Sequence, residues 1–246
     1  MTLSCIQQPH EHLNANLDNG ILTLAINRPK AKNALYGELY LWIAQALDEA
    51  DQSKDVRVVI LRGEDADFTA GNDMQDFMQF IQSPLQSKAG DAPPFVVLKA
   101  AARFSKPLIA AVRGVAIGIG VTILLHADLV YSDQTALFQI PFVSLGLSPE
   151  GAASQLLIQQ AGYHKAAELL FTAQKFNSEK AVAAGLVNSI EEDVYAAALK
   201  QAQILAALPL ASLRQTKALM KHNLDSIVDC IDHEAEIFMK RVSSPE

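Results

Sequence analysis

The chain has 246 residues, half of them apolar and 19% charged, with a formal net charge of −7. A full globular core is expected, disorder is not, and the acidic balance disfavours nucleic acid or an anionic membrane surface as a main partner. The two cysteines, Cys5 and Cys230, stand near opposite ends without the spacing of a zinc or redox pair, which points to a reducing compartment.

The first residues, "MTLSCIQQPHEH", hold no basic stretch followed by an apolar core, so no signal peptide is expected and the cytoplasm is the expected compartment. "ILTLAIN" (21–27) is rich in β-formers and is halted by Arg28-Pro29, which predicts a strand. Apolar residues at helical spacing over 36–50 predict a helix, and "VRVVILRG" (56–63) a buried strand. A loop over 64–73 leads to a helix starting near Met74, and the stretch 83–94, with three prolines, reads as loop or disorder. A helix over 95–104 and a strand over 107–112 follow. The glycine-rich segment 114–120 then opens a short apolar helix, and strands are expected over 127–132 and 136–140.

From Gly151 onward helices dominate: 151–161, 163–172, 178–184, 193–207, and one or two more over 209–240. A short strand, 186–190, interrupts them. The most apolar segment, "GVAIGIGVTILL" (114–125), is too short to cross a bilayer, so no membrane partner is expected. Strand–helix units followed by a helical last third predict an α/β fold with a helical appendage. The expected organisation is a core over 1–190 and an oligomerising helical region over 191–246. Its apolar run "AAALKQAQILAALPLASL" exceeds what one helix layer buries.

Gly118 and Gly120 begin a dinucleotide fingerprint, but Ile123 stands where its third glycine belongs. Ser144 in "FVSLG" lacks the first glycine of a nucleophile elbow. The six histidines form no ligand spacing, and no metal is expected. Two glycine loops remain, "TAGND" (69–73) and "GIG" (118–120). Each could be a plain tight turn, or each could aim a free N–H at one point and so build an oxyanion hole. A third segment, "LSPEG" (147–151), has two readings. Ser148 could cap a helix, with Pro149 and Glu150 in its first turn, or Glu150 could carry a proton. Together the three segments suggest proton abstraction next to a carbonyl.

The segments "NRPKAKNAL" (27–35), "FTAGNDMQDF" (68–77), "KPLIAAVRGVAIGIG" (106–120), "ADLVYSDQTALF" (127–138) and "AAGLVNSI" (183–190) occur in the order and spacing of the enoyl-CoA hydratase/isomerase (crotonase) superfamily. The resemblance covers nearly the whole chain. It implies a crotonase-like spiral of β-β-α turns with a C-terminal helical region, an acyl-CoA thioester as ligand, and a homotrimer or dimer of trimers.

Matched by motif, the oxyanion donors are the N–H groups of Asn72 and Ile119, where family members commonly carry alanine and glycine. The two glutamates of a hydratase fall on Thr122 and Phe142, neither of which can do acid–base work on water. "IPFVSLGLSPEG" (140–151) is similar to the peroxisomal type of Δ3,Δ2-enoyl-CoA isomerase, in which the glutamate after proline, here Glu150, is the catalytic base. Arg28, Lys30 and Lys32 are the candidate cations for the CoA phosphates, Lys30 foremost by the resemblance. Ala70, Gly71, Asp73 and Met74 are expected along the CoA and thioester end, and Phe77, Met78, Phe80 and Phe95 along the acyl pocket. No cofactor is implied beyond the coenzyme A of the substrate. A different crotonase-type enzyme (hydratase-like, dienoyl-CoA isomerase or hydrolase) would need a further carboxylate facing the substrate, and the sequence places none. A non-catalytic acyl-CoA-binding homologue is the remaining alternative.

Overall fold

The computed structural model describes residues 3–82 and 88–244, with side chains at all of these except 80–82. A single helical turn, α1 (Ser4–Gln7), precedes a hairpin of β1 (Leu13–Asp18) and β2 (Ile21–Ile26). Asn19 and Gly20 join the two strands with φ of 49° and 80°, the left-handed pair that a two-residue hairpin turn requires. α2 (Gly37–Gln52) lays Leu39, Tyr40, Ile43, Leu47 and Ala50 into the core at helical spacing. β3 (Val58–Gly63), α3 (Met74–Gln82) and α4 (Pro93–Arg103) follow, then β4 (Leu108–Val112) and β5 (Val115–Ile117). The short α5 (Ile119–Thr122) leads to β6 (Leu129–Ser132) and β7 (Leu137–Gln139). The rest of the chain is α6 (Ala153–Ala161), α7 (Tyr163–Thr172), β8 (Phe176–Asn177), α8 (Ser178–Ala183), β9 (Ser189–Ile190), α9 (Val194–Ala207), α10 (Leu210–Met220) and α11 (Leu224–Val242).

The large sheet runs β1-β2-β3-β4-β6-β9, antiparallel between β1 and β2 and parallel elsewhere. β3, β4 and β6 each give way to a short extended piece that turns aside: Thr69 after β3, β5 after β4, β7 after β6. These pieces pair in the same order, Thr69 with Ala116 and β5 with β7, and β8 closes the second sheet. The chain therefore climbs as a spiral, each turn adding one rung to each sheet. That geometry stacks successive loops at one end of the second ladder.

Alternation along the strands sends residues to two cores. Val58, Ile60, Ile109 and Ala111 pack under Val194, Ala198 and Ala202 of α9. Val59, Leu61, Leu108 and Ala110 belong to the larger core, which α2, α4 and, from α11, Ile227, Ile231, Ala235 and Phe238 complete. The helices after residue 190 thus share the cores built by the residues before it. No single helix among the described residues is long and apolar enough to cross a membrane, and α9 and α10, which pass that test as a pair, are bent 109° apart.

The expected strands and helices stand within a few residues of their predicted places, with "LVNSI" reduced to the two residues of β9. Residues 83–87 of the expected loop lie outside the described residues. Of the remainder, Ala89–Asp91 forms a 3-10 turn and Pro93 begins α4. A correction concerns residues 148–150. The next helix, α6, begins at Ala153, preceded by Gly151 and Ala152 with φ of 73° and 58°. Ser148 is therefore no N-cap, and Glu150 lies outside the first turn. Two consecutive left-handed residues break the backbone before a helix can start.

Candidate active site

The two glycine loops are neighbouring rungs of the second ladder. Thr69 donates its N–H to the Val115 carbonyl at 2.9 Å and accepts from the Ile117 N–H at 3.0 Å. Further along the first loop, Leu35 donates to the Gly71 carbonyl at 2.8 Å and accepts from the Asp73 N–H at 2.7 Å. This parallel bridge uses the groups on either side of Asn72 and turns the Asn72 N–H away from Leu35. Ile119 opens α5, where first-turn N–H groups have no acceptor within the helix. Among the described residues, nothing accepts from either N–H. The close packing depends on Gly71. Its φ is 87°, and a Cβ there would lie 2.6 Å from the Ile117 carbonyl oxygen, inside any real contact.

Asn72 and Ile119 face one cavity of about 360 Å³, with Ala70, Gly71 and Met74 beside the first and Gly118 beside the second. The remaining wall is mainly apolar, including Phe77, Met78, Phe142, Leu147 and Phe238. Phe238 meets Phe77, Phe95 and Phe142 edge-on, with ring centroids 6.1, 5.9 and 6.2 Å away. Arg241 also borders the cavity and donates from Nε to the Gly146 carbonyl at 3.0 Å.

Of the expected acyl-pocket residues, Phe77 and Met78 line this cavity. Phe95 is core packing behind Phe238 and does not line it, and the Phe80 side chain lies outside the described residues. Asp73 is also absent from the wall. Its Oδ1 accepts the N–H groups of Gln75 and Asp76 at the start of α3, and its Oδ2 takes Arg28 at 2.6 Å. These bonds outweigh burial and hold the Asp73 carboxyl below the usual range. Arg28 is further engaged by the Ala34 carbonyl at 3.0 Å. Lys30 is exposed on the 3-10 turn Pro29–Ala31, apart from the cavity wall.

Glu150 is fully buried, is not part of the cavity wall, and neither carboxylate oxygen has a hydrogen-bond partner. Burial, and next the charge of Glu234, push its carboxyl up to about 8. Leaving such a group unpartnered costs on the order of 1–3 kcal/mol even when neutral, so a packing role does not account for it. Its surroundings connect it to the oxyanion loops. The Tyr40 hydroxyl, buried and itself raised by burial and by the Glu150 charge, donates a very short hydrogen bond to the Asn72 side-chain oxygen. Thr122 and Phe142, the positions of the hydratase glutamates, hold a buried hydroxyl and a ring in the cavity wall.

The turn carrying Glu150 is held from two sides. His126, which burial lowers to about 3, is neutral and donates from Nε2 to the Gly151 carbonyl at 3.0 Å. Glu234 of α11 accepts the Ser154 N–H at 2.9 Å, so the carboxylate at the start of α6 comes from Glu234 and not from Glu150. Sequence reasoning missed Tyr40 and Glu234, because both sit in helices whose local pattern shows only amphipathic packing. No group of three or more potential metal ligands converges among the described residues.

The family model described as enoyl-CoA hydratase/isomerase matches residues 16–245, and the chain belongs to that family, the crotonase superfamily. It is 33% identical over 215 residues to human enoyl-CoA delta isomerase 2, a match covering 86% of this chain and 54% of that protein. The chain thus spans little more than half the length of that relative. It is 28% identical over 240 residues to 4-chlorobenzoyl coenzyme A dehalogenase-1 of Arthrobacter sp, covering 95% and 87% of the two chains. Among solved structures, one from Acinetobacter baumannii, described at family level as an enoyl-CoA hydratase/isomerase, is 77% identical with a TM-score of 0.95, covering 96% of this chain and 95% of that one.

Proposed function

We propose that the protein is an acyl-CoA isomerase that moves a double bond from C3–C4 to C2–C3 of a 3-enoyl-CoA, with Glu150 as the sole proton carrier. The thioester oxygen lies between the N–H groups of Asn72 and Ile119. Glu150, as carboxylate, takes a proton from C2. The electron pair moves into a dienolate whose charge rests on the thioester oxygen, and the resulting carboxylic acid returns the proton at C4. No water is consumed, so one carboxyl is enough. A positioned base of this kind typically contributes about 10²–10⁴-fold, and an oxyanion donor about 10²–10³-fold.

The observation that carries this reading is the pairing of a buried, unpartnered Glu150 with non-acidic residues at 122 and 142. Glu150 is not among the residues of the cavity wall, so the reaction requires the acyl group to gain access to it. Ala70, Gly71 and Met74 border the thioester end, Phe77 and Met78 the acyl chain. Lys30, exposed on the Pro29–Ala31 turn, is the candidate partner of a CoA phosphate, a role for which Arg28 is already spent on Asp73. The working form is a homotrimer or dimer of trimers.

The test is a spectrophotometric assay of the purified protein with a 3-enoyl-CoA and, separately, with crotonyl-CoA. Isomerisation with negligible hydration is expected. Hydration at a comparable rate would sink the single-base argument, and neither activity in a protein that binds acyl-CoA would favour a non-catalytic binder.

A further inference from the structure

We propose that Glu234, reaching in from α11, is the positioning residue for Glu150: it ties down the turn that carries Glu150 and, through its own charge, sets the pH at which that carboxyl ionises. The inference rests on the reading of Glu150 as proton carrier and deepens it.

The geometry begins at α6. Its N-cap, Ala152, offers no side-chain acceptor, and the Ser154 N–H is taken by Glu234 Oε1 at 2.9 Å. Between Glu150 and Ser154 lie the two left-handed residues, Gly151 and Ala152. Fixing Ser154 from α11 and the Gly151 carbonyl from His126 clamps this turn at both ends. Phe238 stands four residues after Glu234, on the same face of α11 one turn further on. Phe238 borders the cavity; Glu234, like Glu150, does not, and its bond to the Ser154 N–H makes it a support for the turn that carries Glu150.

Charge completes the argument. Glu150 has no partner on either oxygen, and Glu234 Oε2 has none. The titratable groups facing the pair are Tyr40 from α2, His126 from the turn after α5, and Cys230 one turn earlier on α11, its Sγ 3.8 Å from Glu234 Oε1. Burial keeps each of these three uncharged near neutral pH. The cations beside His126 are Lys221, whose ammonium is engaged by the His126 carbonyl at 3.0 Å, and Lys217, which is paired with Asp128 at 2.6 Å. Two buried carboxylates without a cation between them repel, so the pair holds one negative charge. That charge settles on Glu234, which has the Ser154 N–H and the positive end of α6. Burial raises both carboxyls, Glu150 to about 8.

The experiment reads the carboxyls directly by NMR of protein with 13C-labelled glutamate side chains, the Glu150 and Glu234 signals being assigned by their loss in Glu150→Gln and Glu234→Gln. Glutamine at 234 keeps an acceptor for the Ser154 N–H but carries no charge. The Glu150 midpoint is expected to fall by roughly one pH unit or more in Glu234→Gln. The Glu234 midpoint should stay nearly in place in Glu150→Gln, because Glu234 ionises while Glu150 is still protonated and uncharged. The rising limb of kcat/KM against pH should move with the Glu150 midpoint, and turnover lost in Glu234→Ala should largely return in Glu234→Gln. A Glu150 midpoint that stays in place in Glu234→Gln overturns the proposal, since a residue that merely fills space would shift the melting temperature alone. Turnover surviving in Glu150→Gln would remove the isomerase reading and leave the coupling between the carboxyls to be judged on the midpoints.

Discussion

Replacing Glu150 with glutamine is predicted to stabilise the fold, and to do so more strongly as pH rises. The carboxyl is raised from an ordinary 4.5 to about 8 in the folded chain. Between those values the native state holds a proton that the unfolded chain has released, so stability falls with rising pH across that window. Each pH unit costs about 1.4 kcal/mol, and by pH 8 the accumulated loss is on the order of 3–5 kcal/mol. Below about 4.5 both states are protonated and the loss vanishes. Glutamine has similar size and the same unpartnered surroundings but never ionises, so the two proteins should be nearly equal in stability near pH 5. Denaturant unfolding at pH 5, 6.5 and 8, at one protein concentration, would show the curves diverging. Parallel curves would mean that the Glu150 carboxylate is solvated or paired in solution, and the argument from its burial would fail.

Three further outcomes are expected. Gly71→Ala puts a Cβ against the Ile117 carbonyl oxygen at a left-handed φ; prying the two loops apart should lower kcat/KM by about 10²–10³ and cost about 1–3 kcal/mol in a thermal melt. Lys217, which donates from α10 to Asp128 at 2.6 Å and to the Lys106 carbonyl at 2.7 Å, is a buried anchor, so Lys217→Met should lose about 1–3 kcal/mol in denaturant unfolding by breaking both bonds and leaving the buried Lys106 carbonyl without that donor. Leu219 and Met220 at the end of α10 are 78% and 75% exposed, and Ile204 and Leu208 at the end of α9 are 49% and 42% exposed, apolar groups suited to subunit contact; light scattering should give three or six chains, and a monomer at micromolar concentration would contradict it.

Periodicity and turn chemistry made most of the large sheet legible, because β2, β3 and β4 are buried on both faces and read as unbroken apolar runs. β1 is masked in the sequence: its Leu13, Ala15 and Leu17 alternate with Asn and Asp, poor β-formers, and only the Asn19-Gly20 turn after it signals a hairpin. β5 and β8 are three and two residues long, held by pairing with distant β7 and not by local preference. The two oxyanion loops were legible because glycine marks close backbone approach. The resemblance put Glu150 forward, while the helix-start reading of Ser148 and Pro149 failed because local cap residues say nothing of a left-handed pair two residues later. Glu234 and Tyr40 were invisible, since only the packing of α11 and α2 brings them beside Glu150 and Asn72.

The central claim is that Glu150 moves the proton, and turnover of a 3-enoyl-CoA by Glu150→Gln tests it most directly. Binding is followed in the same samples by the rise in melting temperature on adding acyl-CoA, so that a folded, liganded variant is measured. The account predicts a fall in kcat of about 10² or more with binding retained. Full turnover in a Glu150→Gln protein that folds and binds acyl-CoA would contradict it.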